Sequence, residues 1–156
     1  MGTSPPPVGA PRKDSKATSS RPVTGVVRRV YPHAVERADV NRWMDDFREA
    51  WISNEPAAVA ALFTEDAVYS MDAFAEPWRG RDEIVRRWTA GISQQVAMTY
   101  EVVAVDGDIA VVHWNVFTQN VGDPVRVEYD GVIHLRFAPD GRCREHREWF
   151  FRRERK

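Results

Sequence analysis

The chain has 156 residues, 43% of them hydrophobic and six of them tryptophan, enough for one domain with a core of its own. Its 22 basic and 23 acidic residues leave a net charge of −1, which gives no electrostatic footprint for nucleic acid or an anionic membrane. No apolar run approaches the roughly 20 residues of a membrane helix, the N-terminus lacks the apolar core of a secretion signal, and the lone cysteine, Cys143, leaves no internal disulfide, so a reducing, cytoplasmic compartment is expected.

Residues 1–22 stand apart in composition, with Pro5-Pro6-Pro7, Pro11, Ser15 and Thr18-Ser19-Ser20. Such a stretch has almost nothing to bury against its ordering entropy, so a disordered tail is expected. Residues 23–37 read as a linker in which Val26-Val27 and Val30-Tyr31 offer a segment that can dock, although Pro32 interrupts any regular element. The domain proper is expected over 38–152, with 153–156 left as a charged end. Asp39 is the expected helix N-cap. Trp43, Met44, Phe47, Ala50 and Trp51 then recur at helical spacing, and Asn54 ends the helix. Glu55-Pro56 opens a short Ala-rich helix over 57–63. Thr64-Glu65-Asp66 reads as a polar turn, 67–71 as a strand and 72–80 as a loop. A third helix over 81–92 begins with acids that suit the helix dipole.

From there the pattern turns to strands, over 96–105, 109–119, 125–137 and 142–152. Turns at Asp106-Gly107-Asp108, Asn120-Val121-Gly122-Asp123 and Pro139-Asp140-Gly141-Arg142 separate them. Helix, helix, strand, helix and a four-strand meander predict an α+β domain with helices on one face of a mostly antiparallel sheet.

Three stretches, in order, carry a resemblance. They are Ala61-Leu62-Phe63-Thr64-Glu65-Asp66-Ala67-Val68-Tyr69, then Glu76-Pro77-Trp78-Arg79-Gly80-Arg81-Asp82-Glu83-Ile84, and finally Leu135-Arg136-Phe137, Asp140-Gly141-Arg142 and Arg147-Glu148-Trp149-Phe150. Together, over about 38–152, the chain resembles a SnoaL-like member of the nuclear transport factor two-like superfamily. The resemblance implies a cone-shaped α+β barrel, three helices packed on a curved sheet that encloses a pocket, and often a homodimer packed through the sheet. That superfamily holds isomerases, cyclases, hydrolases, dehydratases, binding proteins and adaptors, so function has to be argued from the site.

Ketosteroid-isomerase-like chemistry needs a carboxylate base, a tyrosine and a protonated acid. The corresponding positions here fall on Met71 (with Asp72 one residue late), Phe47 and Ile133, none of which supplies the group. Limonene-epoxide-hydrolase-like chemistry places an arginine and an aspartate two apart on one strand, and a second aspartate in a terminal motif. Arg147-Glu148-Trp149-Phe150 resembles that last motif, but the earlier strand offers only His113 and Asn115.

Glu148 is therefore the carboxylate of interest. Period-two alternation sets His146, Glu148 and Phe150 on one face of the last strand, with Glu145, Arg147, Trp149 and Phe151 on the other. The resemblance turns Glu148 toward the pocket, where burial would raise its pKa and make it an acid or base near neutrality. The competing reading is a structural ion pair with Arg136 or Arg86. On the strand from Ile109, Ala110, Val112, Trp114, Val116 and Thr118 form the more apolar face. If they point inward, Trp114 lines the pocket and His113 and Asn115 face outward, against the hydrolase mapping. On the next strand Val127, Tyr129, Gly131, Ile133, Leu135 and Phe137 share an apolar face, which makes Tyr129 a candidate pocket phenol or a core residue.

The candidate catalytic residues are thus Glu148, with Tyr129 or His146 as hydrogen-bonding partner. Trp43, Phe47, Tyr69, Met71, Asp72, Trp114 and Ile133 are the candidate walls. His113, His134 and His146 lie on different strands without a paired ligand spacing, and no phosphate loop or dinucleotide fingerprint occurs, so neither a metal nor a cofactor is expected. One reading is a cofactor-free enzyme acting by proton transfer on a small apolar molecule. The others are a non-catalytic ligand-binding or dimeric scaffold, and an interaction adaptor. The environment of Glu148 discriminates between the first two.

Overall fold

A computed structural model describes residues 33–90, 94–120, 122 and 124–155. The tail expected over 1–22, the linker as far as Pro32, and Ile92 lie outside the described residues. The elements are α1 (Arg37–Ser53), α2 (Pro56–Leu62), β1 (Phe63–Ser70), β2 (Trp78–Arg79), α3 (Arg81–Thr89), β3 (Gln94–Asp106), β4 (Ile109–Asn120), β5 (Arg126–Phe137) and β6 (Cys143–Arg155).

α1 begins three residues earlier than an N-cap at Asp39 predicts. Glu36 is its N-cap, and Asp39, three residues on, closes a capping box by accepting the Glu36 backbone N–H at 3.2 Å. Val40, Trp43, Met44, Phe47 and Ala50 form its buried stripe, and Asn54 ends it in the left-handed conformation, φ 55°. α2 ends at Leu62, so Phe63 opens β1. Thr64-Glu65-Asp66, expected as a turn, belongs to β1 but bulges away from its neighbour. Phe63 pairs with Cys143 and Val68 with Glu145, so β1 spends five residues where β6 spends two. The Thr64 hydroxyl donates to the Asp66 carboxylate across this bulge at 2.8 Å. Gly80, φ 86°, turns the chain into α3, whose Ile84 is wholly buried.

The six strands lie in the order β2-β1-β6-β5-β4-β3. β3 to β6 form the expected antiparallel meander, while β1 runs parallel to β6 and antiparallel to β2. The three helices and this mixed sheet make the α+β cone-shaped fold that the resemblance implied, although the sheet stays open, with β2 and β3 as its edges. β6 continues to Arg155, into the stretch set apart as a charged end. There Arg153 and Arg155 both donate to the Glu128 carboxylate on β5, Arg155 at 2.9 Å.

The inward face of the sheet is legible strand by strand. Ala110, Val112, Trp114, Val116 and Thr118 of β4 are buried, as are Ile133, Leu135 and Phe137 of β5. α1 lies across them: Trp43 meets Phe137 at 5.8 Å between ring centroids, Phe47 meets His146 at 5.5 Å, and Trp51 meets Trp114 at 6.1 Å. Burying one such aromatic side chain stabilises the fold by about 2–3 kcal/mol. Gly131 is required by close approach. A Cβ there would stand 2.3 Å from the Trp149 carbonyl oxygen and 2.7 Å from the Phe150 Cβ.

Candidate functional site

β1 stops at Ser70, which pairs with Arg147. From Glu148 onward β6 has lost its parallel neighbour, and the loop after β1 folds over the vacated edge. A cleft of about 650 Å³ forms there on the outer side of the sheet, with Met71, Asp72 and Phe74 on the loop side and His113, Asp130, Val132 and Trp149 on the sheet side, and Glu148 is among its lining residues. Along the inward face of β6, exposure rises from 0% at His146 through 6% at Glu148 to 36% at Phe150. Glu148 thus stands where the closed core gives way to the opening.

Its immediate partner is Tyr69, whose hydroxyl donates to Glu148 Oε1 at 2.7 Å. The parallel pairing sets Tyr69 beside His146, and the two rings stack at 4.1 Å, only 5° from parallel. Phe47 covers the other imidazole face at 12°. His146 Nε2 lies 3.5 Å from Glu148 Oε1, yet neither ring nitrogen completes a hydrogen bond among the described residues.

Burial governs the proton affinities. It pushes Glu148 up to about 7 from an ordinary 4.5, while the Tyr69 hydrogen bond pulls the other way. Burial likewise holds His146 neutral, down to about 3. Tyr69 is raised well above the usual phenol, first by burial and then by the charge of Glu148, so it stays protonated and remains a donor. Neither arginine of the competing ion-pair reading reaches Glu148. Arg136 lies 3.9 Å from Asp108, and Arg86 lies 3.8 Å from Glu83.

The structure brings together only part of the expected constellation. Met71 and Asp72 line the cleft, and Ile133 lies opposite Glu148 in register. Tyr129 does not serve Glu148. It pairs with Arg152, two side-chain rows nearer the opening, and stacks on Trp114 at 6.3 Å. Tyr69, expected as wall only, takes its place as the hydrogen-bonding phenol. Phe47 is core that packs on His146 rather than wall. Trp43 donates its indole N–H to the Leu62 carbonyl at 3.0 Å and lines a separate groove of about 1030 Å³ between α1, α2 and the β5–β6 turn. That groove is the larger one, but it contains none of Glu148, Tyr69 and His146. His113 and Asn115 point outward, His113 lying 3.0 Å from the Asp130 carboxylate. Cys143 is wholly buried, which raises its thiol far above the reactive range. Among the described residues no group of three or more His, Cys, Asp or Glu side chains is placed to hold a metal ion. No described helix is long and apolar enough to cross a membrane.

Solved structures share this architecture at low identity. An LEH-like epoxide hydrolase from M. tuberculosis is 19% identical, with a TM-score of 0.58 over 73% of this chain and 84% of that one. SalBIII, an epoxide hydrolase/cyclase-like enzyme of pyran ring formation in salinomycin, is 15% identical, with a TM-score of 0.59 over 74% and 93%. A protein with a ketosteroid isomerase-like fold from Catenulispora acidiphila, in complex with trimethylamine, is 18% identical, with a TM-score of 0.58 over 69% and 83%. These likenesses concern the fold. No curated protein matches the chain. A SnoaL-like domain model matches residues 40–146, ending two residues short of Glu148. With more than half of its length matched, this chain belongs to the SnoaL-like domain family.

Proposed function

We propose that the protein is an enzyme that moves a proton on a small, mostly apolar molecule, with Glu148 as the acid/base. The observation that carries this is a buried carboxylate whose proton affinity sits near neutrality and which no cation among the described residues neutralises. Tyr69 fixes Oε1, which leaves Oε2 without a described partner and available to a reacting group. In its charged form Glu148 abstracts a proton; in its neutral form it returns one. Dehydration, cyclisation, isomerisation and epoxide hydrolysis all need such a step, and none of them needs a redox cofactor. The epoxide hydrolase and cyclase-like neighbours support this class of chemistry.

A substrate-independent probe is 2-tetralone in deuterium oxide, whose benzylic protons beside the carbonyl exchange when a base forms the enolate and a deuteron returns to carbon. Catalysed exchange should rise with pH through a midpoint near 7. Tyr69→Phe removes the hydrogen bond that favours the carboxylate, so the midpoint should move up by about one pH unit. A profile flat from pH 5 to 9 would count against Glu148 as the base.

The outer face favours a second copy of the chain as partner. Val132 and Trp149 pair across β5 and β6 and are 38% and 48% exposed, with Phe151 beside them at 87%. A homodimer through this face is expected in light scattering, and a monomer at high micromolar concentration would refute it.

A further inference from the structure

The groove between α1, α2 and the β5–β6 turn takes no part in the chemistry proposed for Glu148, yet at about 1030 Å³ it is larger than the cleft at that residue. Its apolar lining includes Ala58, Ala61, Leu62, Phe137 and Pro139. Its charged lining, among the described residues, is four carboxylates and two arginines. Both arginines are engaged, Arg42 by Asp39 and Arg142 by Asp140, the latter pair at 3.1 Å. That leaves Asp46 and Glu49, about one turn apart on the same side of α1 and both exposed. The Asp46 side chain has no ion pair among the described residues, and Glu49 has only Arg48, at 3.8 Å. The groove therefore offers apolar contact beside negative charge that is poorly compensated.

The overall charge of −1 hides a division of the chain that matches it. Residues 1–32 hold six of the 22 basic residues, Arg12, Lys13, Lys16, Arg21, Arg28 and Arg29, and one of the 23 acidic ones, Asp14. They carry a net +5, which leaves −6 on residues 33–156. Arg28 and Arg29 sit inside the stretch Val26-Val27-Arg28-Arg29-Val30-Tyr31. That stretch joins apolar side chains to paired positive charge, the two properties that complement the groove.

The chain delivers this stretch to the groove. His33 and Ala34 are themselves lining residues, and Val35 is anchored through its N–H to the Gly107 carbonyl at 2.8 Å. Asp39 to Glu49 spans about 15 Å along α1 at about 1.5 Å per residue. Arg29 and Arg28 stand four and five residues before His33, a reach of up to about 13–17 Å. A segment tethered this closely meets its site at an effective concentration of about millimolar, so weak contacts suffice to hold it.

We infer that the groove is the docking site of residues Val26–Tyr31 of the same chain. Arg28 and Arg29 meet Asp46 and Glu49, and the valines and Tyr31 cover the apolar lining. The inference does not rest on the proton-transfer reading, and it is tested without turnover.

Arg28 and Arg29 are also trypsin sites, which makes docking readable in the intact protein. Lys16, outside the stretch, is an internal control, and a synthetic peptide of residues 10–34 gives the intrinsic rates. Relative to cleavage after Lys16, cleavage after Arg28 and Arg29 should be about tenfold slower in the folded protein than in the peptide. Nearness to a folded domain also slows a protease, so the deciding variant is Asp46→Asn/Glu49→Gln, which changes two exposed side chains and spares the core. It should speed cleavage after Arg28 and Arg29 about fivefold, as the loss of two exposed ion pairs allows, and leave cleavage after Lys16 unchanged. Glu65→Gln/Asp82→Asn, which removes two exposed charges outside the groove, should change neither rate. Equal relative rates in protein and peptide, no response to Asp46→Asn/Glu49→Gln, or the same response to Glu65→Gln/Asp82→Asn would each overturn the inference. Protection that grows with protein concentration would assign the groove to the segment of a second copy and overturn it as well.

Discussion

Glu148→Gln should lower the catalysed exchange of 2-tetralone by about a thousandfold, within the range general acid–base groups contribute. The substitution keeps the shape of the side chain and an oxygen that can still accept the Tyr69 hydroxyl at the position now 2.7 Å away. It removes only the capacity to take a proton. The fold should therefore survive, and its stability offers a second readout. The folded pKa near 7 lies above the ordinary 4.5, so the folded state keeps a proton that the unfolded chain releases between those values. Glu148 thus costs stability as pH rises through that window, by about 3 kcal/mol in all. Below pH 4.5 the wild-type and Gln proteins should be equally stable, and above pH 7 the Gln protein should be the more stable. His146 acts in the opposite sense. Its folded pKa is depressed, so stability is lost as pH falls from 6.5 toward 3, but this happens in both proteins and cancels in the difference. Unchanged exchange would remove Glu148 from the chemistry. A stability difference independent of pH would mean that the carboxyl group is not buried as described.

Phe47→Ala should be the most damaging single truncation, costing about 3–5 kcal/mol. Phe47 is 1% exposed, and its ring touches Trp43 at 5.2 Å, Trp88 at 5.1 Å, Trp51 at 6.0 Å and His146 at 5.5 Å. No single neighbour can collapse into that space without abandoning another contact. For a domain whose whole stability is about 5–15 kcal/mol, the loss is a large share. The denaturation midpoint should fall at constant slope. There is a local consequence as well. Phe47 shields one face of the His146 imidazole, so water admitted by the truncation should raise the His146 pKa from about 3 toward its ordinary value. Histidine ring resonances followed against pH would show this. Phe47→Leu, which restores most of the volume without the flat face, should cost much less. A loss below about 1 kcal/mol for the alanine protein would contradict the close packing around this ring.

The sequence by itself determined the order of the three helices and the five longer strands, the Asp-Gly turns and the alternation that groups Glu148 with His146 and Phe150, because each follows from spacing within one segment or from a single residue's backbone preference; it did not show the two-residue strand β2. Period-two alternation grouped Trp114 with the more apolar side of β4, which the structure buries, and the helical stripe of α1 named its own core. Only the tertiary structure decided which phenol serves Glu148. Tyr69 and Glu148 are 79 residues apart, and the parallel pairing of β1 with β6 that joins them leaves no periodic mark in either strand. Tyr129 carries the same hydroxyl in a strand just as apolar, but its register places it opposite Arg152. The early end of β1 is equally silent in sequence, because a strand's length is fixed by where its neighbour's hydrogen bonds run out. That ending exposes one edge of β6 at Glu148 and thereby opens the cleft.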